Sequence, residues 1–166
     1  MLDPLHLRHK PPVALEQSRE LVLACAPMCS NINLSRIVRI CGCSGISKII
    51  CCGSPRIIEK IARDGADTVE IEIHRSLEPV LKKLRAAGYR LVGLEQTSSS
   101  ASLYDYRFHR QTALILGSER KGLENQFLAL LDDIVEIPVY GLPHSHNVAT
   151  AAAMAMYEYC RQFPRG

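Results

Sequence analysis

Short apolar runs alternate with amphipathic stretches along most of the chain. Six of the runs are bounded by turn-forming residues, and each is either apolar throughout or alternates with polar residues, which is typical of β-strands. They span residues 21–25, 46–52, 68–73, 90–94, 112–116 and 134–139. The pattern therefore predicts six strands spread along the whole chain.

Five segments between and after these strands carry apolar residues at the spacing of a helix face. They span residues 34–43, 55–63, 77–87, 123–131 and 148–161, and the last is rich in Ala and Met. Gly65 and Gly88 stand just past two of them, where a glycine often ends a helix. Strands and helices that alternate this regularly predict an α/β fold, with helices on both sides of a mostly parallel sheet.

The start of the chain differs from the rest. Residues 1–12 are polar and basic and contain three prolines, so we expect residues 1–19 to form an N-terminal arm and residues 20–166 to form one domain. The serine-rich segment 98–102 is expected to be a solvated loop.

Composition narrows the class of protein only slightly. The chain has 166 residues, of which 47% are hydrophobic and 22% charged, with a formal net charge of +3. The small basic excess permits an anionic partner without requiring one.

The seven cysteines lack the paired spacing of zinc ligands, so we expect them to be reduced, mostly buried residues of a cytoplasmic protein, with no metal site. No apolar run reaches the roughly 18 residues of a membrane span, and the first residues do not resemble a secretory signal.

Three segments carry the candidate chemistry, and each follows a predicted strand or opens a helix. They are residues 33–39, 117–123 and 137–148. Ligands of parallel sheets bind beyond the carboxyl ends of the strands, so these segments are expected to meet at one edge. Gly117 and Gly122 allow close approach of a ligand, whereas Glu119 disfavours a phosphate and suits a cationic or hydroxyl-bearing group. The segment matches neither a Walker loop nor the GxGxxG pattern.

Each segment also has a purely structural interpretation. Glu119 can lie exposed in an ordinary strand-to-helix turn. Asn33 or Ser35 can cap the first helix, and Ser145 or Asn147 can cap the last one. His144 and His146 lack a third ligand motif that would indicate a metal. Arg39 can be a surface arginine.

The joint order of the three segments resembles the motifs of the SpoU or TrmH branch of the SPOUT superfamily of RNA ribose 2′-O-methyltransferases. The first motif has an Asn followed six residues later by an Arg, matched by Asn33 and Arg39. The second has Gly-x-Glu-x-x-Gly-Leu, matched by residues 117–123. The third has Ile-Pro, a short loop and Ser-Leu-Asn-Val, matched by residues 137–148 except that His146 replaces the Leu. Residues 94–97 also resemble a family segment, and the similarity covers roughly residues 20–162.

The resemblance implies a deep trefoil knot near the carboxyl end, S-adenosylmethionine as methyl donor, and a homodimer whose active site is shared across the interface. It implies that Arg39 is the catalytic residue and that Asn33, Glu119, Ser145 and Asn147 orient the reacting groups. The residues that it assigns to the cofactor are Leu94, Glu95, Thr97, Leu116, Gly117, Gly122, Ile137, Leu142, Ser145, His146 and Asn147. The His146 substitution changes an apolar wall of the donor site.

The expected substrate is RNA, with tRNA favoured over rRNA because the chain shows no added RNA-binding domain. A guanidinium keeps its proton, so we expect Arg39 to hold an RNA phosphate and stabilise the forming alkoxide rather than act as a base. The candidate phosphate contacts outside the motifs are Arg8, His9, Lys10, Arg36, Lys48, Arg56 and Lys121. The alternatives are a non-catalytic RNA-binding protein with the same fold and a nucleotide-binding regulator, and the missing phosphate-loop patterns disfavour the regulator.

Overall fold

Parallel strands form a single seven-stranded sheet in the computed structural model of the protein, which describes residues 5–7 and 10–166. In chain order the strands of this described part are β1 (Leu21–Cys25), β2 (Lys48–Cys52), β3 (Glu70–His74), β4 (Arg90–Leu94), β5 (Ala101–Ser102), β6 (Thr112–Leu116) and β7 (Asp133–Glu136). Their order across the sheet is β3-β2-β1-β6-β4-β7-β5. Every pair of neighbouring strands is parallel.

Helices connect most of these strands. They are α1 (Asn31–Cys43), α2 (Glu59–Ala62), α3 (Gly65–Thr68), α4 (Leu77–Ala86), α5 (Asn125–Leu128) and α6 (Val148–Gln162). Within residues 5–7 and 10–166, no helix is both long and apolar enough to cross a membrane.

Strand β1 lies inside the sheet and shows that helices cover both faces. Leu21, Leu23 and Cys25 belong to the core formed with α1 and α6, whereas Val22 and Ala24 belong to the core formed with α4. Successive side chains of a strand point to opposite faces, so a strand without polar residues must be covered on both sides. The predicted α/β fold is confirmed. The trefoil knot is not tested by these contacts and stays a prediction.

The predicted strands at 21–25, 90–94 and 112–116 are confirmed at the same residues. The other three begin or end within a few residues of the predicted bounds, at Lys48–Cys52, Glu70–His74 and Asp133–Glu136. Segment 98–102 was expected to be loop throughout, which is wrong for Ala101–Ser102. These two residues pair with the end of β7 and form the short edge strand β5.

The helix predicted over 55–63 is wrong for its first four residues. The backbone N–H of Arg56 donates to Asn31 Oδ1 at 3.2 Å, and that of Ile58 donates to Ser35 Oγ at 2.8 Å. These bonds hold residues 56–58 extended against α1, so a helix forms only at Glu59–Ala62. It ends at Arg63, whose φ of 55° is incompatible with continuing the helix.

The helix predicted over 123–131 is also shorter than expected. The N–H of Leu123 donates to Glu95 Oε2 at 2.7 Å instead of entering a helix. Beyond Leu128 the chain continues in tight turns, with the N–H of Leu130 bonded to Phe127 O and that of Leu131 bonded to Leu128 O. The helix is therefore limited to Asn125–Leu128. The predictions over 34–43, 77–87 and 148–161 are confirmed as α1, α4 and α6, with bounds that differ by up to three residues.

The prediction that Gly65 ends a helix is wrong, whereas Gly88, with φ of 87°, follows the cap of α4 as predicted. Gly65 instead begins α3 and packs against the backbone of α1. A Cβ atom added there would lie 2.8 Å from Val38 O and 3.0 Å from Arg39 Cα. The same contact involves Gly42, whose added Cβ would lie 3.1 Å from Gly65 Cα. Glycine is thus required because two backbones approach each other closely.

Most of the cysteines lie in the core, as expected. Cys25, Cys41, Cys51 and Cys52 are buried, and all seven cysteines are unbonded. Burial raises the pKa of the Cys41 and Cys51 thiols to about 12. They therefore act as small apolar side chains at neutral pH.

Residues just before β1 contact the carboxyl-terminal segment. Arg19 Nε donates to Ser44 O at 2.8 Å, Arg19 Nη1 donates to Phe163 O at 2.5 Å, and the N–H of Glu16 donates to Arg165 O at 2.9 Å. The boundary between arm and domain at residue 19 stays a prediction. The candidate phosphate contacts Arg8 and His9 lie outside the described residues.

The sheet order brings four loops to one edge. Strands β1, β6, β4 and β7 are consecutive, with Cys25 and Leu94 both beside Leu116, and Leu94 beside Val135. Because these residues end or nearly end their strands, the following loops start side by side. This edge is where the three candidate segments were expected to meet.

We expect Gly65→Ala to lower the free energy of unfolding by about 1–3 kcal/mol, because the added methyl group collides with the α1 backbone. Gly141→Ala is the matched control, since an added Cβ there has no atom within 4 Å, and it should change stability by less than about 0.5 kcal/mol. Urea unfolding followed by circular dichroism measures both. Equal stability of the two variants would contradict the close α1–α3 contact.

Candidate functional site

A pocket of about 490 Å³ lies at this carboxyl edge of the sheet. Its walls come from the ends of β4, β6 and β7, the loops that follow them, and the start of α6. The lining residues are Leu94, Glu95, Gln96, Leu116, Gly117, Ser118, Glu119, Gly122, Glu136, Ile137, Pro143, Ser145, His146, Asn147, Val148 and Ala151.

Glu119 joins the loop after β6 to the start of α1. Its Oε2 accepts the N–H of Cys29 at 2.8 Å, and its Oε1 accepts the N–H of Ser30 at 3.0 Å. The same Oε1 accepts Nδ2 of Asn33 at 2.9 Å. A carboxylate at this place satisfies backbone donors that precede the helix and lies near its positive end.

Asn33 links Glu119 to the start of α6 through hydrogen bonds. Its Oδ1 accepts Nδ2 of Asn147 at 3.2 Å, while Asn147 Oδ1 accepts the N–H of Ala149 at 3.0 Å. Asn147 is therefore the N-cap of α6, as one of the two predicted alternatives held. The cap predicted for α1 is wrong, because Ser30 takes that place and accepts the N–H of Asn33 at 3.2 Å.

Two opposing effects act on the pKa of Glu119. Burial raises the pKa, but the hydrogen bonds from Asn33 and from the N–H groups of Cys29 and Ser30 outweigh it. The net result is a pKa below the ordinary value. Glu119 is therefore ionised at neutral pH and stays so into the acidic range.

Glu95 shapes the glycine loop from the other side. Its Oε2 accepts the N–H of Leu123 at 2.7 Å, and its Oε1 accepts the N–H of Gln96 at 3.1 Å. Gly122 has φ of 60°, and a Cβ added there would collide with the Glu95 carboxylate. The loop closes on itself where Ser118 and Gly122 exchange backbone hydrogen bonds of 3.2 and 2.9 Å.

A third carboxylate, Glu136, lines the pocket at the end of β7. Its Oε2 lies 2.7 Å from Ser100 Oγ, and no ion pair involves it among residues 5–7 and 10–166. Glu95 and Glu119 likewise form no ion pair with the described residues. The pocket lining includes no Lys or Arg. Its field therefore repels phosphates and favours cations, although the whole chain is slightly basic.

Most of the predicted cofactor residues line this pocket. They are Leu94, Glu95, Leu116, Gly117, Gly122, Ile137, Ser145, His146 and Asn147. The cofactor assignment left out six lining residues, which are Gln96, Ser118, Pro143 and Val148 inside the matched segments and Glu136 and Ala151 outside them. No sequence signal singled out Glu136, because it lies in the middle of the strand predicted over 134–139 and ends a strand, β7, only in the structure.

Four predicted site residues do not line the pocket. Asn33 lies behind Glu119 and is only 8% exposed. Thr97 bonds within its own loop, where its N–H donates to Ser100 Oγ. Leu142 is 80% exposed. Arg39 is exposed on α1, and its side chain forms no hydrogen bond or ion pair with the described residues. Its catalytic role stays a prediction.

The candidate phosphate contacts divide into two groups. Lys48 pairs with Glu70 and Glu72, and Lys121 pairs with Glu124. Lys10, Arg36 and Arg56 are exposed. Their side chains have no acidic partner within the described part of the chain. The described residues also contain no group of three or more His, Cys, Asp or Glu side chains that could hold a metal ion.

Comparison with known proteins gives related sequences. A tRNA (guanosine(18)-2′-O)-methyltransferase of Mus musculus is 33% identical over 136 residues, which are 78% of this chain and 9% of that protein. A tRNA (guanosine(18)-2′-O)-methyltransferase of Escherichia coli K12 is 26% identical over 133 residues, which are 78% of this chain and 58% of that protein. The chain thus spans less than two thirds of the length of either relative.

Two solved structures resemble the whole fold. The TrmH/SpoU tRNA modifying enzyme of A. aeolicus has a TM-score of 0.84 at 23% identity, over 90% of this chain and 78% of that one. The SpoU methyltransferase AviRb of Streptomyces viridochromogenes, in complex with AdoMet, has a TM-score of 0.74 at 29% identity, over 93% of this chain and 64% of that one.

A family model gives the same assignment as the three sequence motifs. The model of the SpoU rRNA Methylase family matches residues 20–157, which include every part of the pocket. The chain therefore belongs to the SpoU rRNA Methylase family.

Proposed function

We propose that the protein transfers a methyl group from S-adenosylmethionine to a ribose 2′-hydroxyl of RNA, and that its RNA substrate is a tRNA rather than an rRNA. The observation that carries the proposal is the pocket at the carboxyl edge, whose lining has three carboxylates and no basic side chain except His146. Family membership and the names of the two tRNA-modifying relatives support the reaction and the substrate.

The pocket residues fit the methyl donor. S-adenosylmethionine carries a sulfonium, an ammonium and a carboxylate, so it is a net cation at neutral pH, and it supplies an electrophilic methyl group. Leu94, Leu116 and Ile137 offer apolar contact to its adenine, and the carboxylates suit its cationic groups. Gly117 keeps this wall thin, because an added Cβ would collide with Gly122. The AdoMet complex of the 29% identical AviRb supports the same assignment.

His146 stands in the pocket where the family motif has Leu. Its backbone can still contact the donor, and its ring can pack against the adenine as the leucine would. A protein of this fold that binds RNA without catalysis is the alternative function, and His146 is the observation that favours it. Donor binding separates the two.

Glu119, Asn33 and Asn147 position the site rather than react. Their hydrogen bonds hold the loop after β6, the start of α1 and the start of α6 in one arrangement. The donor and the ribose oxygen must be aligned for an in-line displacement, so a fixed arrangement of these segments promotes transfer. Ser145 lies in the same loop as Asn147 and is assigned to orient the ribose.

Arg39 is assigned to the RNA side of the reaction. During transfer the hydroxyl oxygen bonds to the methyl carbon, the electron pair of the carbon–sulfur bond leaves with the sulfur, and the hydroxyl proton passes to a phosphate oxygen of the RNA or to water. A guanidinium cannot accept this proton, but it can bind an RNA phosphate and stabilise charge on the oxygen. The exposure of Arg39 suits contact with a macromolecule.

A homodimer is part of the proposal. Thr150, Ala153, Met154 and Tyr157 form one outward stripe of α6 at helical spacing. Met154 is 39% exposed and Tyr157 is 76% exposed. An apolar stripe of this kind suits burial against a second copy of the chain, with the active site shared across the interface. The partner copy would then bring further groups to the pocket mouth.

We expect the wild-type protein to transfer labelled methyl groups from S-adenosylmethionine to a tRNA transcript, and more slowly to an rRNA fragment. Arg39→Ala should reduce turnover by about 100-fold or more, since charge stabilisation is lost, while donor affinity measured by calorimetry changes less than about twofold. Nucleoside analysis of the product should show a 2′-O-methyl group.

Lys82→Ala is the matched control for this experiment, because Lys82 is an exposed cation on α4, on the opposite face of the sheet from α1. It should retain wild-type turnover. Substantial methylation by the Arg39 variant would contradict the role of Arg39. Wild-type protein that neither binds the donor nor transfers a methyl group would favour the non-catalytic alternative.

Glu119→Gln should lower the free energy of unfolding at pH 7 by about 1–3 kcal/mol, because the amide leaves N–H groups of Cys29 and Ser30 without a carboxylate acceptor. The pKa of Glu119 is lower in the folded protein than its ordinary value of 4.5. Its contribution is therefore fully present above pH 4.5 and is lost as the pH falls through the folded pKa.

Urea unfolding at several pH values measures this effect, and the difference between wild type and variant should shrink in acid. Glu124→Gln is the control, because Glu124 is exposed and its carboxylate pairs with only Lys121 and Gln126 in the described part of the chain. A Glu119 variant as stable as the Glu124 variant at pH 7 would contradict the positioning role.

A further inference from the structure

The three carboxylates of the pocket differ in how the protein uses their oxygens. Both oxygens of Glu95 accept backbone N–H groups, from Leu123 and from Gln96. Both oxygens of Glu119 also accept protein donors. Each oxygen of these two side chains thus accepts at least one hydrogen bond that holds a loop.

Glu136 is bound much less completely. Its Oε2 lies 2.7 Å from Ser100 Oγ, but this hydroxyl also lies 2.9 Å from Thr97 O and has a single proton to donate. Among residues 5–7 and 10–166, no other side chain or N–H group donates to the Glu136 carboxylate. Glu136 therefore keeps hydrogen-bonding capacity and an uncompensated charge in the pocket.

No cation in the lining offsets this charge. The remaining titratable side chain is His146, and the other lining residues besides the three carboxylates are uncharged. In a concave site with low-dielectric walls, the potential of such charges is focused on whatever occupies it. The potential acts on the net charge of the occupant even without direct contact.

Donor and product of the proposed reaction differ in charge by one unit. S-adenosylmethionine is a net cation because of its sulfonium, whereas S-adenosylhomocysteine has a neutral thioether and no net charge. The two are otherwise alike in adenine, ribose and amino-acid groups. A negative pocket can therefore discriminate between them through the sulfonium charge alone.

We propose that Glu136 is a specificity-determining residue that makes the pocket prefer the cationic methyl donor over its neutral product. This inference rests on the proposed function. As a consequence, methyl transfer converts the bound donor into a product for which the pocket has lower affinity. This promotes release of the product and entry of a new donor. The carboxylate acts by its charge and needs no contact with the reacting atoms.

A different role for Glu136 makes a different prediction. Carboxylates at the end of a parallel strand also accept hydrogen bonds from the ribose hydroxyls of bound nucleosides. Donor and product share those hydroxyls, so removal of such a contact weakens both equally. The ratio of the two affinities, rather than either affinity, distinguishes charge discrimination from ribose binding.

The test is calorimetric titration of wild-type protein and Glu136→Gln with S-adenosylmethionine, S-adenosylhomocysteine and sinefungin. Sinefungin is a stable analogue that carries an amine cation at the sulfonium position. All titrations use one buffer at one pH and one ionic strength. The variant should lose about three- to tenfold in affinity for both cationic compounds, the scale of one unit charge acting across a partly hydrated site. Its affinity for the product should change by less than about twofold.

Two variants isolate the charge from other effects. Ser100→Ala removes the hydroxyl next to Glu136 but keeps the carboxylate, so the ratio of donor to product affinity should stay at the wild-type value. Glu78→Gln makes the same change of net charge on α4, where Glu78 pairs with Lys82 away from the pocket. It should leave all three affinities unchanged. Thermal unfolding verifies that each variant is folded.

Raised salt should weaken binding of the two cations by wild-type protein and should affect the Glu136 variant less. Equal losses for donor and product in Glu136→Gln would overturn the inference in favour of ribose binding, and an unchanged ratio with unchanged affinities would overturn it as well. Wild-type protein that binds neither donor nor product would contradict the proposed function itself, and that result differs from binding both with an unchanged ratio.

Discussion

The arrangement of the site depends on one carboxylate, that of Glu119. This residue lies in the loop after β6 and accepts hydrogen bonds from the segment that precedes α1. Through Asn33 the same connection reaches Asn147, the N-cap of α6. Three segments that are far apart in sequence are thus held together by four side-chain oxygens and the donors around them. The backbone donors of this network, the N–H groups of Cys29, Ser30 and Ala149, lie at the starts of α1 and α6, so these bonds follow the same rule that governs helix capping.

The second constraint is electrostatic. The pocket collects Glu95, Glu119 and Glu136 at one edge of the sheet without a nearby Lys or Arg. Two of these carboxylates are stabilised by backbone N–H groups, which carry no net charge, so the lining keeps its net negative charge. The same carboxylates therefore hold the loops in place and make the site attractive to cations. The chain as a whole is slightly basic, so the negative charge is a local property of the pocket.

The sequence predicted the central strands well because they are apolar on both faces. Residues 21–25 and 112–116 are buried throughout, because such apolar runs are stable only inside a sheet that is covered on both faces. The short helices α2 and α5 were predicted too long, because side chains distant in sequence take their backbone donors. Ser35 binds the N–H of Ile58, and Glu95 binds that of Leu123. Propensity and periodicity describe local structure and contain no information about such distant partners.

The sequence motifs identified most of the residues that line the pocket. Gly, Pro and Asn residues at the ends of strands are needed there for the backbone conformation, so they form recognisable motifs. Glu136 was missed, because a single Glu at a strand end has no periodic signal and matters only once neighbouring strands show which charges share the pocket. The cap of α1 was assigned to Asn33 or Ser35, whereas Ser30 performs it and Asn33 faces Glu119 instead. The site that results is a negatively charged pocket in a fold whose relatives modify RNA.

The most direct test of this account compares two adenosine ligands of opposite charge on the wild-type protein. Calorimetric titration at one ionic strength with S-adenosylmethionine and with adenosine monophosphate measures whether the pocket selects a cation. The account predicts binding of S-adenosylmethionine and an affinity for the monophosphate at least about tenfold lower, because the phosphate meets three carboxylates and no Lys or Arg. Tighter binding of the monophosphate, or no binding of S-adenosylmethionine, would contradict it.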